Sequence, residues 1–493
     1  MSVLRTKSVE RSIRETDEPG SKLRRELSAL DLTVFGVGVI VGTGIFVLTG
    51  KVARENAGPA VALSFVAAGI ACALAALCYA EFASTVPVAG SAYTFSYATI
   101  GELPAWIIGW DLMLELALGA ATVAVGWSGY AAILLGDLGL HLPASLVGED
   151  AAFNVPATLI VLAVTALLVL GVKVSSRVNA VIVAVKIAVV LLVIVAGLFF
   201  VKGAHYHPFV PRATATPGTH GGNTPLIQVL FGYTPTAYGW AGVFVGAAIV
   251  FFAFIGFDVV ATAAEETKRP DRDLPIGIIA SLLVCTTLYV AVSLVVTGMR
   301  DYRRLSVDAP LAQAFTDVGH PAFATVVSVG ALAGLTTVVL ILMLGQSRVF
   351  FAMSRDGLLP PWLARVHPRY GTPYRITIII GVVVALIAGL VPLSALAELV
   401  NIGTLFAFAV VAIGVVILRH THPDLPRSFR VPASPVLPFL AVVACGYLML
   451  NLPVDTWLRF LIWMVAGFAV YFLYGRGHSR VGAAARRVGV TRD

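Results

Sequence analysis

Apolar runs of about 18 or more residues, the length that crosses roughly 30 Å of hydrocarbon at 1.5 Å per residue, follow one another along almost the whole chain. They predict an all-α integral membrane protein with about twelve transmembrane helices, near residues 31–50, 58–82, 101–135, 155–172, 179–201, 238–262, 275–298, 322–345, 376–392, 394–417, 436–450 and 455–474. The third is long enough to be tilted or broken. A polar segment, 1–30, and a tail, 476–493, bracket one membrane domain over 31–475. The longest connection on one side, Lys202 to Ala237, is rich in Gly, Pro, Thr and His and predicts irregular structure, short helical pieces or a lid. The longest on the other, Gln346 to Arg375, holds an amphipathic stretch, Val349 to Leu363, expected to lie along the membrane surface.

Composition agrees with lipid as the main solvent. Of 493 residues 58% are hydrophobic and 12% charged, the mean hydropathy is +0.90, and too little polar surface exists to coat a soluble globule. The net charge of +7 sits in loops and tails, so it reports orientation and not a nucleic-acid partner. Lys and Arg concentrate on the side of both termini, which predicts that both ends are cytoplasmic. The first thirty residues hold seven of them and lack a cleavage-like site, so the first helix is expected to be retained. Cys72, Cys78, Cys285 and Cys445 lie within apolar spans and read as small buried hydrophobes, with neither disulfide nor metal.

Two helices are broken by glycine: the first in GVGVIVGTGIF from Gly36, and the sixth in FFAFIGFD, at Gly256. Their starts are five helices apart, the spacing of a five-plus-five inverted repeat, here about 31–201 and about 238–417, with extra helices about 436–474. A helix unwound at mid-membrane exposes backbone groups that must bind something, because each unsatisfied one costs several kcal/mol in hydrocarbon. Amides of Gly42, Thr43, Gly44 and Ile45 would open the outer half-helix toward an anion, and the carbonyls of Ile40 and Val41 would close the inner half toward a cation. Phe252, Ala253, Phe254 and Ile255 would add carbonyls and an apolar wall. Carboxylate and ammonium side by side describe an amino acid. Gly36 and Gly38 read more simply as packing points.

Charges inside the spans are few. Lys186, in NAVIVAVKIAVVLLVIVAG, lies roughly 10 Å inside the cytoplasmic edge of its helix; its ammonium must find a partner, a carbonyl cage or lose its proton, which makes it a proton-coupling candidate, or else snorkel to the interface. Asp111 and Glu115 share one face of the third helix. Glu115, the deeper, would pair with Lys186, receive protons or contact a basic substrate side chain; Asp111 reads as interfacial and structural. Asp258, Glu265 and Glu266 precede KRPDRDLP, either a solvated helix end or, for Asp258 above all, a cytoplasmic gate. GxSxG, HExxH and GxxxxGK[ST] are absent, so neither an enzyme nor a nucleotide-driven pump is expected. The histidines lack acidic or Cys neighbours that would make a metal site.

The segments GVGVIVGTGIFVLTG from Gly36, YAEFASTVPVAGSAYTFSYATIGE from Tyr79, GWDLMLELALGAATVAVGWSGY from Gly109, Asn179 to Lys186, FFAFIGFDVVATAAEETKRPDRDLPIGI from Phe251 and GQSRVFFAMSRDGLLP from Gly345 occur in the order of a known family. The chain resembles the amino acid, polyamine and organocation transporter superfamily and, within it, the cationic amino acid transporter group in its shorter bacterial-type plan. The resemblance implies alternating access around the two broken helices. It places substrate binding on Ile40, Gly42, Thr43, Gly44, Phe252, Ala253 and Ile255, an acidic position of the subgroup on Glu115, and the proton-linked lysine on Lys186. The expectation is a secondary active carrier in the plasma membrane that uses a proton gradient and no cofactor, with free amino acid, protons and membrane lipids as partners. Cationic amino acids (arginine, lysine, ornithine) are placed ahead of small neutral ones such as alanine, with exchange as the alternative to symport. A nutrient sensor would add a large soluble extension, and a channel would need a continuous polar pore.

Overall fold

The architecture comes from a computed structural model, which describes residues 27–482 apart from 86–91, 149–150, 172–175, 216–220, 234–235, 262–266, 422, 426 and 428. Twelve apolar helices fill it. The first, α1, has an inner half, Ala29–Ile40, and an outer half that begins at Gly44 and runs through Gly44–Leu48, Thr49–Val52 and Ala53–Ala57. Then come α2 (Val61–Thr85), α3 (Glu102–Asp137), α4 (Val155–Val169), α5 (Ser176–Leu198), the interrupted α6 (Gly239–Val250, Phe251–Phe254 and Phe257–Ala261) and α7 (Pro270–Met299). The last five are α8 (Pro321–Arg355), α9 (Tyr374–Leu390), α10 (Leu393–Thr421), α11 (Val436–Leu450) and α12 (Val454–Val470).

Their starts follow local chemistry. Ser28 and Asp31 form a capping box ahead of α1, with Ser28 N donating to Asp31 Oδ2 at 2.9 Å and Asp31 N to Ser28 Oγ at 3.3 Å. Asn154 Oδ1 caps α4 by accepting from Ala157 N. Prolines open α7 and α8 at positions whose N–H would be unpaired anyway.

Helix packing shows the repeat. The inner half of α1 lies on α7 as α6 lies on α2; α3 meets α10 as α8 meets α5; α3 meets α4 as α8 meets α9. The pairs α2–α7, α3–α8 and α4–α9 join equivalent helices. Adding five to each number therefore exchanges the contacts among themselves, as two copies of one five-helix unit require. Among the long spans α3 and α6 are the most enclosed, whereas α9 and α12 present apolar residues such as Ile378, Val382, Leu461 and Val465 outward, toward lipid. Without water between helices, association rests on close packing and interhelical hydrogen bonds, each about 0.6 kcal/mol. Trp110 of α3 and Trp463 of α12 stack at 4.5 Å and donate to each other's carbonyls.

At the end where the described chain starts and finishes, the segment beyond α12 folds back. Ser479 Oγ and the hydroxyls of Tyr97, in the short helix Ala92–Thr99, and Tyr471 all donate to the buried carboxylate of Glu102. Burial first, then the neighbouring carboxylate, holds the Tyr97 hydroxyl above the usual tyrosine range, so it stays a donor. Arg480 N reaches Asp356 O at 3.0 Å. Nearby, Arg419 of α10 grips Glu81 of α2 in a two-pronged ion pair.

The amphipathic stretch Val349 to Leu363 is not a surface helix. α8 continues to Arg355, because Gln346 donates to Met113 O at 3.3 Å and Met353 and Ser354 are buried, so these residues pack against the bundle. Only Pro361–Ala364 forms a short turn beyond it. At the opposite end, the described part of the 202–237 connection holds a strand pair, Thr214–Ala215 antiparallel to Thr236–Ala237, and a helix, Leu226–Phe231. Leu226 N donates to Leu452 O at 3.0 Å, pinning this connection to the turn between α11 and α12. The basic segment 1–26 and the pair Glu265 and Glu266 lie outside the described residues.

Candidate functional site

The α1 break is short. Val41 turns extended at ψ 96° while its amide still reaches Val37 O at 2.9 Å. The amides of Ile45 and Phe46 both donate to Gly42 O, at 3.2 and 3.3 Å. The amides of Gly42, Thr43 and Gly44 have no backbone acceptor among the described residues, and the buried Thr43 hydroxyl has no partner there. Three N–H groups and one hydroxyl thus open the outer half-helix, a cup for an anion. The sequence placed Ile45 in this set, but its amide is committed to Gly42.

In α6 the helix tightens to a 3₁₀ turn over Phe251–Phe254, Ile255 becomes extended at ψ 136°, and Gly256 adopts φ 114° before Phe257. Gly256 is the break residue that needs glycine for its conformation. Gly44 needs it for space instead: a Cβ there would overlap Ala253, while one at Gly42 would sit an ordinary 3.6 Å from Val338. A Cβ at Gly256 would come within 2.7 Å of Val39, so the two breaks are pressed together. Gly36 and Gly38 are packing points, against Ser281 and Val183. Phe251 and Phe254 turn into aromatic clusters with Phe408 and with Phe65 and Tyr289, which leaves Phe252 and the half-buried Ile255 as the apolar side of the break.

Two residues that sequence reasoning missed complete the breaks. The Tyr289 hydroxyl of α7 lies 2.8 Å from both Ile40 O and Ala253 O, bridging α1 and α6. Asn401 Nδ2 of α10 donates to Ala248 O and Ile249 O at 2.8 and 2.9 Å. The available signal was a lone polar side chain inside an apolar run, costly in lipid unless it has a task.

Lys186 is 1% exposed; its Nζ donates to Gly38 O at 2.8 Å, and its stem covers Gly334 of α8. Among the described residues no carboxylate lies within ion-pair reach of it, so it neither snorkels nor pairs with Glu115. The neighbours of Glu115 are Asp258, Asp111 and the Thr404 hydroxyl. Asp111 is fully buried, both its oxygens lack a partner among the described residues, and Oδ1 would lie 2.6 Å from a Cβ on Gly403 of α10. It therefore faces the bundle interior and not water: it lies against α10 at Gly403. Asp258 takes backbone N–H groups at the start of the inner α6 segment, and its Oδ1 is enclosed and has no partner among the described residues. Asp258 is half-buried, and Phe257 beside it packs edge-on against Tyr79 of α2. Buried polar groups are normally paired; Thr43, Asp111, Asp258 and Asn401 Oδ1 are exceptions gathered on α1, α3, α6 and α10.

The family model for amino acid permeases matches residues 27–473, nearly the whole chain. The chain belongs to the amino acid permease family. A branched-chain amino acid permease of Bacillus subtilis (strain 168) is 50% identical over 97% of this chain and 99% of its own. A methylthioribose transporter of the same organism is 50% identical, covering 93% and 95%. A vacuolar cationic amino acid transporter of Arabidopsis thaliana is 32% identical, covering 97% and 96%. This permease is thus a multi-pass membrane protein of a transporter family, not an enzyme.

Proposed function

We propose that this permease is a proton-coupled amino acid symporter of the plasma membrane, with both termini cytoplasmic, alternating access around α1 and α6 and no cofactor beyond the proton gradient. The observation that carries the proposal is the Lys186 to Gly38 hydrogen bond beside the α1 break. A protonated lysine offers the Gly38 carbonyl a charged donor, a neutral one a much weaker grip, so a proton changes how firmly α5 holds the half-helix that ends at the anion cup. In this reading the substrate carboxylate docks on the amides of Gly42, Thr43 and Gly44 and on the Thr43 hydroxyl. Its ammonium faces the carbonyls of Ile40 and Ala253, Phe252 and Ile255 flank the side chain, and Asp258 belongs to the cytoplasmic gate.

Aliphatic neutral amino acids are the first substrate class, reversing the order read from the sequence. The branched-chain permease shares 50% of its residues with this chain, the vacuolar cationic transporter 32%. Cationic amino acids are the second reading, favoured by the buried carboxyls of Asp111, Glu115 and Asp258, which would receive a basic side chain. Counterflow in liposomes against twenty amino acids and methylthioribose tests the class. Under the first reading leucine, isoleucine and valine exchange fastest, and an inward proton gradient drives their accumulation; accumulation that survives a protonophore refutes the coupling.

A further inference from the structure

Each broken helix is held ahead of its break by a polar side chain from the fifth helix of its own repeat, so these two holders come from equivalent helices. Lys186 on α5 donates to Gly38 O of α1; Asn401 on α10 donates to Ala248 O and Ile249 O of α6. Both side chains are buried, Lys186 at 1% and Asn401 at 0% exposure. The need for a donor on α6 follows from its geometry. Where an α-helix tightens to a 3₁₀ turn its hydrogen-bond register changes and carbonyls lose their amides, and in a dry interior each such carbonyl costs several kcal/mol. Asn401 reaches two carbonyls with one NH₂ group, Ala248 O and Ile249 O, the second of which also takes the Phe251 amide, while its Oδ1 has no donor among the described residues. Among the described residues no other hydrogen bond therefore orients this side chain.

We infer that Asn401 is a positioning residue for transport, the uncharged counterpart of Lys186, which fixes where α6 unwinds and so aims the Ala253 carbonyl at the substrate ammonium. An amide cannot gain or lose a proton at physiological pH, so α6 is tethered permanently while the tether on α1 is open to protonation. The inference rests on the proposed amino acid site at the two breaks.

The experiment is counterflow in liposomes with equal pH on both sides, using the best substrate of the wild-type panel and rates expressed per folded monodisperse transporter. Asn401→Leu keeps the bulk and removes the donor; its KM should rise about tenfold, as expected for one to two unsatisfied buried carbonyls. Asn401→Gln, which keeps the donor, should stay within about threefold of wild type. If Asn401→Leu does not accumulate, Asn401→Asp, equal in shape but without the NH₂ group, is measured in its place. A residue needed only for folding would lower the amount of protein and leave KM per folded molecule unchanged, and that result overturns the inference. So does a KM for Asn401→Gln as high as that of Asn401→Leu. Wild-type protein that exchanges no amino acid would instead overturn the underlying site, and the inference with it, whereas wild-type exchange with an unmoved variant KM refutes Asn401 alone.

Discussion

Gly44 of α1 lies directly against Ala253 of α6, so closely that a Cβ on Gly44 would overlap the Ala253 backbone. Gly42, two residues earlier, has ordinary clearance from Val338. Gly44→Ala should thus cost about 1–3 kcal/mol by overpacking and reduce both folded protein and uptake, whereas Gly42→Ala should stay within about 0.5 kcal/mol of wild type. Thermal unfolding of the two purified variants decides this; equal melting temperatures would mean that the breaks are not pressed together.

Lys186 meets a carbonyl and no carboxylate among the described residues. Lys186→Ala should lose gradient-driven accumulation by about tenfold or more, since the site where charge was managed is gone, yet keep counterflow, because the anion cup is backbone. Accumulation retained in this variant would place the coupling elsewhere.

The Tyr289 hydroxyl has one proton for two carbonyls. Tyr289→Phe removes that one donor, at about 1–3 kcal/mol, so the empty variant should melt lower than wild type. Saturating substrate, whose ammonium carries three donors, should raise its melting temperature more than it raises that of wild type. Equal substrate-induced shifts would show that the ammonium does not reach these carbonyls.

Three hydroxyls converge on Glu102. Ser479→Ala and Tyr471→Phe should each destabilise by about 1–3 kcal/mol. The double variant should deviate from their sum because both act on one carboxylate. A double-mutant cycle by thermal unfolding measures this, and strict additivity would argue against a shared centre.

The helices were legible because an apolar run long enough to cross lipid has few other readings, and the α1 and α6 breaks were legible because glycine clusters interrupt those runs. The end of α8 was misread: Gln346, Ser347 and Arg348 look like the exit from a membrane, yet Gln346 spends its amide on α3. Asp111 was misread for a related reason, since depth along α3 does not reveal that Gly403 of α10 leaves room beside it. Tyr289 and Asn401 escaped notice because their partners lie 249 and 153 residues away in sequence; one hydroxyl or amide in an apolar helix looks like packing until the facing helix is known.

Glu102 also imposes an order on biogenesis. The Ser479 hydroxyl that completes its shell lies 377 residues downstream, so at roughly 5–20 residues per second the carboxylate waits about 20 to 75 s during synthesis. Through that interval ten helices must insert while the amino-terminal end of α3 remains within reach of water. Glu102 gains its third hydroxyl only after α12 has been made, so a chain stalled or cut before Ser479 leaves this carboxylate with one place open.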